Sequence, residues 1–364
     1  MKSYRATYMR GGTSRALIFN ESDLPADKKS WDAIFLSVLG SPDSYGRQLN
    51  GMGGGVSSLS KVAIVRPSTR PDADVDYTFA QVSVTEAKVD YKGNCGNISS
   101  AIGPFAVWQG MCKVTGDEAC VRIFNTNTQK IIHAFFPLKN SEPDLAGEFS
   151  IPGVAGTGAA IRLEFQDPGG ATTGKLLPTG NLREVLEVAG VGKIEVSMVD
   201  AANACVILRA QDLGLKGTES PTELDHQPEL LEKLETIRRH ASVAMGIATS
   251  PKEAGGFIAI PYVGIVSPAV TADRDFEMRV IASGQPHKAL PLTVSLCAAV
   301  TAYLPGSVIN EMVQGKSLQS VRIGMPSGVL QLSAKVENGN GHWTVHSGSF
   351  FRTARLLFVG EVFV

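Results

Sequence analysis

Gly93-Asn94-Cys95-Gly96-Asn97 leads directly into Ile98-Ser99-Ser100-Ala101-Ile102-Gly103-Pro104-Phe105-Ala106-Val107-Trp108, a segment that is small and apolar nearly all round. A second such segment, LPLTVSLCAAVTAY, runs from Leu290 to Tyr303. Each is about 12–14 residues long, too short for a membrane span and too apolar on every side for a surface helix, so each belongs at the centre of a core. Both follow a polar start, GNCGN in the first case and Gln285-Pro286-His287-Lys288 in the second. Two central helices in a chain of 364 residues predict two domains, because a single core does not grow to that size.

Around these helices the pattern reads as short strands. Thr7 to Met9, Arg15 to Phe19, Val62 to Val65, Val75 to Val84 and Val121 to Phe124 carry the β-branched and aromatic residues of strands between turn signals. In Asp74 to Val84 apolar residues fall on alternate positions through most of the run, as expected of an antiparallel strand with one wet face. Ser30 to Leu39 is an amphipathic helix candidate. Gln227 to Met245 is a charged one, with Leu230, Leu231, Leu234, Ile237 and Val243 as its buried stripe. The expected class is α+β, two similar halves that each wrap a curved, mostly antiparallel sheet round one apolar helix. Gly and Pro cluster in GKLLPTGN (Gly174 to Asn181), which puts the domain boundary near residues 180 and 181, with the terminal strand free to cross back to the first domain.

Composition excludes several function classes. A formal net charge of −1 gives no global field toward nucleic acid or an anionic membrane, so an anionic ligand would have to be held by local groups. MKSYRATYMR has no apolar core of a signal peptide, and no apolar run reaches membrane-spanning length. The five cysteines, Cys95, Cys112, Cys120, Cys205 and Cys297, form no CxxC, and the six histidines form no HxH or HExxH, so neither disulfides nor a metal site is expected. Reduced thiols fit a cytoplasmic protein. Homodimer assembly is left open.

Three stretches of the first half can carry chemistry. In Met9-Arg10-Gly11-Gly12-Thr13-Ser14 the glycines permit close backbone approach, and Arg10, Thr13, Ser14 and exposed N–H groups could hold a carboxylate; a plain hairpin turn is the alternative. Gly51-Met52-Gly53-Gly54-Gly55-Val56-Ser57-Ser58-Leu59-Ser60-Lys61 is rich in donors, yet it lacks the GxxxxGK[ST] spacing and runs into a strand rather than a helix, which disfavours a phosphate loop. Lys61 behind it is either a desolvated base with a lowered pKa or a solvated strand-end lysine. In GNCGN a cysteine stands among asparagines and glycines at a helix start, where N–H groups and the helix dipole stabilise anions and the thiolate form. Structural cysteines usually sit among apolar neighbours instead. In the second half, QPHK (His287, Lys288), Gly324-Met325-Pro326-Ser327-Gly328 and Arg352-Thr353-Ala354-Arg355 could add cations and donors, though each alone also fits an ordinary surface feature.

The blocks MRGGTSR, GSPDSYGRQLNGMGGGVSSLSKVAIV, DVDYTFAQVSV, GNCGNISSAIGPFA, LLPTGN, GMPSG and RTAR, in this order between residues 9 and 355, resemble the PrpF family of isomerases. That resemblance implies a fold like diaminopimelate epimerase, with two pseudo-symmetric domains and the site in the cleft between them. It also implies 1,3-hydrogen shifts on allylic carboxylates with no cofactor and a small unsaturated polycarboxylate as partner. Such substrates include 2-methylaconitate or aconitate, with methylitaconate and 4-oxalomesaconate as alternatives. The family's lysine falls on Lys61 and its cysteine on Cys95. Its carboxylate-binding turns fall on Arg10, Gly12, Thr13 and Ser14, on Asn94, Gly96 and Asn97, and on Ser327 and Gly328, with Ser57, Ser58, His287 and Lys288 as further candidates. The epimerase's second cysteine has no counterpart at QPHK, and Cys297 lies inside the apolar helix. Racemisation, or non-catalytic binding of a tricarboxylate, is the more distant alternative.

Overall fold

The computed structural model describes residues 2–91, 93–256, 260–282, 284–316, 318–339 and 341–364. The chain forms two compact units, Met1–Glu164 with Phe351–Val364, and Phe165–Phe350.

In the first unit β1 (Ser3–Gly11) and β2 (Ser14–Asn20) form a hairpin. Strand β2 runs parallel to β3 (Lys61–Pro67), which pairs antiparallel with β4 (Val75–Val82). Strand β4 runs parallel to β5 (Glu118–Asn125), which pairs antiparallel with β6 (Lys130–Lys139). Helix α1 (Trp31–Leu39) lays Trp31, Ile34, Phe35, Val38 and Leu39 on one face of this sheet, against Leu17, Phe19, Val62, Ile64, Ala80 and Val82. Helix α2 (Gly96–Trp108), buried from Ile98 to Val107, packs on the unit's strands as its central element. Both faces of β4 are therefore covered, and the expected wet face is absent: Asp76 and Ala80 are buried along with Val75, Tyr77 and Phe79.

The second unit repeats this plan. Strands β7 (Gly192–Ala201) and β8 (Asn203–Arg209) form the hairpin; β8 runs parallel to β9 (Tyr262–Pro268), β9 antiparallel to β10 (Phe276–Ala282), β10 parallel to β11 (Val321–Met325), and β11 antiparallel to β12 (Gly328–Gly339). Helix α3 (Pro228–Ala244) covers one face through Leu234, Ile237 and Ala241, with Met245 just beyond. Val243, expected in that stripe, is only half-buried. Helix α4 (Leu292–Ala302) is buried at every position and lies between β10 and β11 in the chain, as α2 lies between β4 and β5.

The repeat extends to side-chain contacts. Arg122 at β5 receives Asp74 through its backbone N–H (2.7 Å) and Nη2 (2.7 Å), and its Nη1 donates to Pro71 O. Arg322 at β11 is held by Asp275 in the same way, at 2.8 and 2.9 Å, with Nη1 on Ala272 O. A bidentate, charge-assisted contact of this kind fixes the crossover into each parallel strand.

The division differs from the expected boundary at 180/181. Thr172 and Thr173 donate backbone N–H groups to Asp200 Oδ2 at 2.8 and 2.6 Å, and Phe165 packs on Phe350 with ring centroids 5.4 Å apart. The Gly/Pro-rich stretch is thus a set of turns within the second unit. The terminal strand β13 (Ala354–Phe363) returns to the first unit and pairs with β1 from Ser3↔Phe363 to Gly11↔Ala354.

Candidate active site

The start of α2 is built by contact with the β1–β2 turn. Gly12 has φ +51°, and a Cβ there would lie 2.1 Å from Asn97 Oδ1, so only glycine lets the turn close on the helix. Thr13 N donates to Asn97 Oδ1 (3.3 Å), and Asn97 Nδ2 donates to Thr13 Oγ1 (3.0 Å). Arg10 Nη1 donates to the carbonyls of Gly12 (2.9 Å) and Thr353 (3.0 Å), bracing the turn against the returning terminal segment. Ser14 is buried as the first residue of β2.

Cys95 is the N-cap residue of α2, with an extended backbone and no capping bond from its side chain. Its carbonyl accepts from Ser99 N (3.0 Å) and Ser99 Oγ (3.1 Å), which closes the first turn. The N–H groups of Gly96, Asn97 and Ile98 have no acceptor within the helix, and together with the helix dipole they favour an anion. Asn94 is held by Asn125 Nδ2 at 3.4 Å.

Lys61 opens β3 and is 8% exposed. Its Nζ lies 5.0 Å from the Phe79 ring centroid and donates to Gln81 Oε1. Burial holds the amine below its ordinary value, partly offset by the negative charge that Cys95 can carry. Cys95, at the start of α2, thus acts electrostatically on the amine that opens β3. Tyr77 feels the same charge: its hydroxyl is buried without a hydrogen-bond partner among the described residues, and its pKa is pushed well up by burial and then by Cys95.

The glycine run before Lys61 is a packing device. A Cβ on Gly51 would stand 2.1 Å from Gly40 N, so the loop lies flush on the end of α1. Gln48 pins it from inside, through Nε2 to Ser41 Oγ (2.8 Å) and Ser60 Oγ (2.7 Å) and through Oε1 to Gly55 N (3.0 Å). Ser57 and Ser58 sit in the following 3₁₀ turn, Ser57 exposed and Ser58 half-buried.

Arg352, expected only as one cation of the Arg352-Thr353-Ala354-Arg355 stretch, lies at the α2 start. This arginine, 6% exposed, donates Nε to Asn97 Oδ1 (3.3 Å) and Nη1 to Phe351 O (2.8 Å), and burial lowers its pKa to about 9. At neutral pH it remains a cation beside the α2 start. The other candidates lie in the second unit. His287 N donates to Val280 O (3.0 Å), Lys288 is exposed, Ser327 Oγ is buried without a partner among the described residues, and Gly328 opens β12. Among the described residues no group of three or more His, Cys, Asp or Glu side chains is placed to hold a metal ion.

Across residues 1–364 the chain matches the family described as PrpF protein. It belongs to the PrpF family. The 3-methylitaconate isomerase of Eubacterium barkeri is 39% identical over 370 residues, covering 98% of this chain and 96% of that one. The 2-methyl-aconitate isomerase of Shewanella oneidensis is 36% identical over 379 residues, covering 98% and 96%. A crystal structure of methylitaconate-delta-isomerase superposes with a TM-score of 0.85 at 38% identity, covering 99% of this chain and 95% of that one. As a PrpF-family protein of matching length, the chain is an isomerase, and the α+β fold expected from its two apolar helices is the fold it has.

No helix of the described residues is long and apolar enough to cross a membrane. The repeated topology also shows what the second half lacks: the N-cap of α4, equivalent to Cys95, is Pro291, and the first residue of β9, equivalent to Lys61, is Tyr262.

Proposed function

We propose that this PrpF-family isomerase moves a carbon–carbon double bond in a small unsaturated di- or tricarboxylate, such as 2-methylaconitate or aconitate, by a 1,3-allylic proton shift. Lys61 is the base and Cys95 the acid. One observation supports the reading: a buried lysine is partnered by a neutral amide and an aromatic ring, with a cysteine at a helix start acting on it electrostatically. A lysine so desolvated is neutral over more of the pH range and can take a proton.

One substrate carboxylate is held at the α2 start by its N–H groups, by Thr13 and Asn97, and by the Arg352 cation. His287, Lys288, Ser327 and Gly328 are proposed as further carboxylate-binding residues. Lys61 takes the proton from the carbon allylic to the double bond, and the electron pair of that C–H bond becomes the new double bond of a dienolate whose charge spreads onto the held carboxylate. Each strong preorganised donor there is worth roughly 3–4 kcal/mol. Cys95 gives its proton to the far carbon as the original double bond shifts. The Lys61 ammonium then returns a proton to the Cys95 thiolate, and both groups are restored. A symmetric two-thiol racemase fits less well, because Pro291 stands where a second thiol would be needed.

The test is incubation in D₂O with cis- and trans-aconitate, 2-methylaconitate, methylitaconate and 4-oxalomesaconate, each followed by proton NMR. The reading predicts deuterium at allylic positions and a shifted double bond in at least one of these. Tight binding without exchange, or exchange only at the stereocentre of an amino acid, would overturn it.

A further inference from the structure

We infer that Gln81 is a positioning residue for Lys61, holding the amine in place through a neutral acceptor so that the lysine keeps the character of a base. The inference rests on the proposed role of Lys61 and adds a residue outside the sequence-derived site.

The β3–β4 register sets Lys61 opposite Gln81, so their side chains leave the same face of the sheet as nearest cross-strand neighbours. The amide's orientation follows from its surroundings. Gln81 Nε2 lies 3.0 Å from Ser57 O and 2.9 Å from Ser60 O, and backbone carbonyls only accept, so the NH₂ end must face them. That leaves Oε1 facing Lys61 Nζ as an acceptor. The turn that sets this orientation is itself fixed, since Ser60 Oγ accepts from Gln48 Nε2 at 2.7 Å. A chain of neutral groups thus runs from the glycine loop to the amine.

The absence of charge in that chain matters. A carboxylate in Gln81's place would stabilise the ammonium and raise its pKa, whereas an amide orients the amine without supplying an opposite charge. The Phe79 ring of β4 lies beside the amine, and the charge of Cys95 at the α2 start acts on both Lys61 and Tyr77. Among the described residues Cys95 is the titratable group whose field acts on Lys61. Gln81 could instead be only a staple for the Ser57–Ser60 turn, and the two roles separate experimentally.

The test compares Gln81→Glu and Gln81→Met with the unmodified enzyme, each verified as folded by circular dichroism. Two readouts are taken: the pKa of Lys61 from pH-dependent acylation of its peptide by acetic anhydride, read by mass spectrometry, and the pH profile of kcat/KM. Gln81→Glu should raise the Lys61 pKa by about 1–3 units, the effect of an opposite charge at this range, and carry the acid limb of kcat/KM upward with it. Gln81→Met, similar in volume but without an acceptor, should leave the pKa unchanged or lower and cut kcat by roughly 10²-fold with little change in KM, the penalty for a misplaced catalytic group. If both folded variants leave the Lys61 pKa and kcat unmoved, Gln81 is only a staple and the inference falls. If the Lys61 pKa moves in Gln81→Glu while the kcat/KM limb stays put, Gln81 does control the lysine but Lys61 is not the base, and the proposed mechanism is what fails.

Discussion

Replacing Gly12 with alanine would test how the α2 start is assembled. Its φ of +51° is left-handed, which costs an L-residue about 1–2 kcal/mol. The new methyl would also stand 2.1 Å from Asn97 Oδ1 and 3.1 Å from Arg352 Cδ, so Asn97 must leave its place. Three hydrogen bonds go with it: Thr13 N to Oδ1 (3.3 Å), Arg352 Nε to Oδ1 (3.3 Å) and Nδ2 to Thr13 Oγ1 (3.0 Å). At about 0.5–1.5 kcal/mol each these add about 1.5–4.5 kcal/mol, for a total loss of roughly 2.5–6.5 kcal/mol. Gly46→Ala is the matched control, because Gly46 has φ +68° but nothing within 4 Å of its would-be Cβ. The control should lose only the backbone strain, about 1–2 kcal/mol. Urea unfolding followed by circular dichroism measures both, and KM for the substrate identified by NMR reports the binding turn. If Gly12→Ala lost no more stability than Gly46→Ala and kept its KM, the clasp between the turn and the helix would not exist as described.

Cys95→Ser should separate fold from function. Serine is a favoured N-cap where the cysteine makes no capping bond, so stability should hold or rise by up to about 1 kcal/mol, while turnover falls roughly 10²–10⁴-fold; turnover within threefold of normal would remove Cys95 from the mechanism. Lys61 also links stability to pH. Its folded pKa lies below the unfolded 10.5, so between these values the unfolded chain binds more protons and stability rises with pH, reaching its full contribution only above 10.5. Lys61→Met should abolish that slope in urea titrations across this window, and an unchanged slope would mean the amine is not desolvated. Arg352→Met removes the cation beside Asn97 and should raise KM at least tenfold with kcat changed less than threefold; an unaltered KM would place the substrate carboxylate elsewhere.

Helices α2 and α4 were legible because no charged residue interrupts them, and a segment small or apolar on nearly all sides has no place but a core. The positions of Lys61 and Cys95 were legible, because each stands where a strand or helix begins behind a donor-rich loop. Gln81 was not, although it falls in phase with Val75, Tyr77 and Phe79: its meaning depends on the β3–β4 register, which pairs residues 20 apart. Arg352 was seen only as part of a cationic cluster, because its neighbour Asn97 is 255 residues away and is reached only through the returning terminal segment. The Gly51–Gly55 run looked like a ligand loop because close approach to a phosphate and close approach to α1 need the same residue. The boundary was misplaced because Gly and Pro mark turns wherever they fall, within a domain as well as between domains.

The central claim is that the Lys61 amine removes the allylic proton, and it is tested most directly by that proton's own exchange. With the substrate identified by NMR, the rate of deuterium incorporation at the allylic carbon is compared in folded Lys61→Met and the unmodified enzyme. The mechanism predicts that exchange and double-bond migration fall together, by roughly 10²–10⁴-fold or more. Allylic exchange at the normal rate in a folded Lys61→Met protein would contradict it.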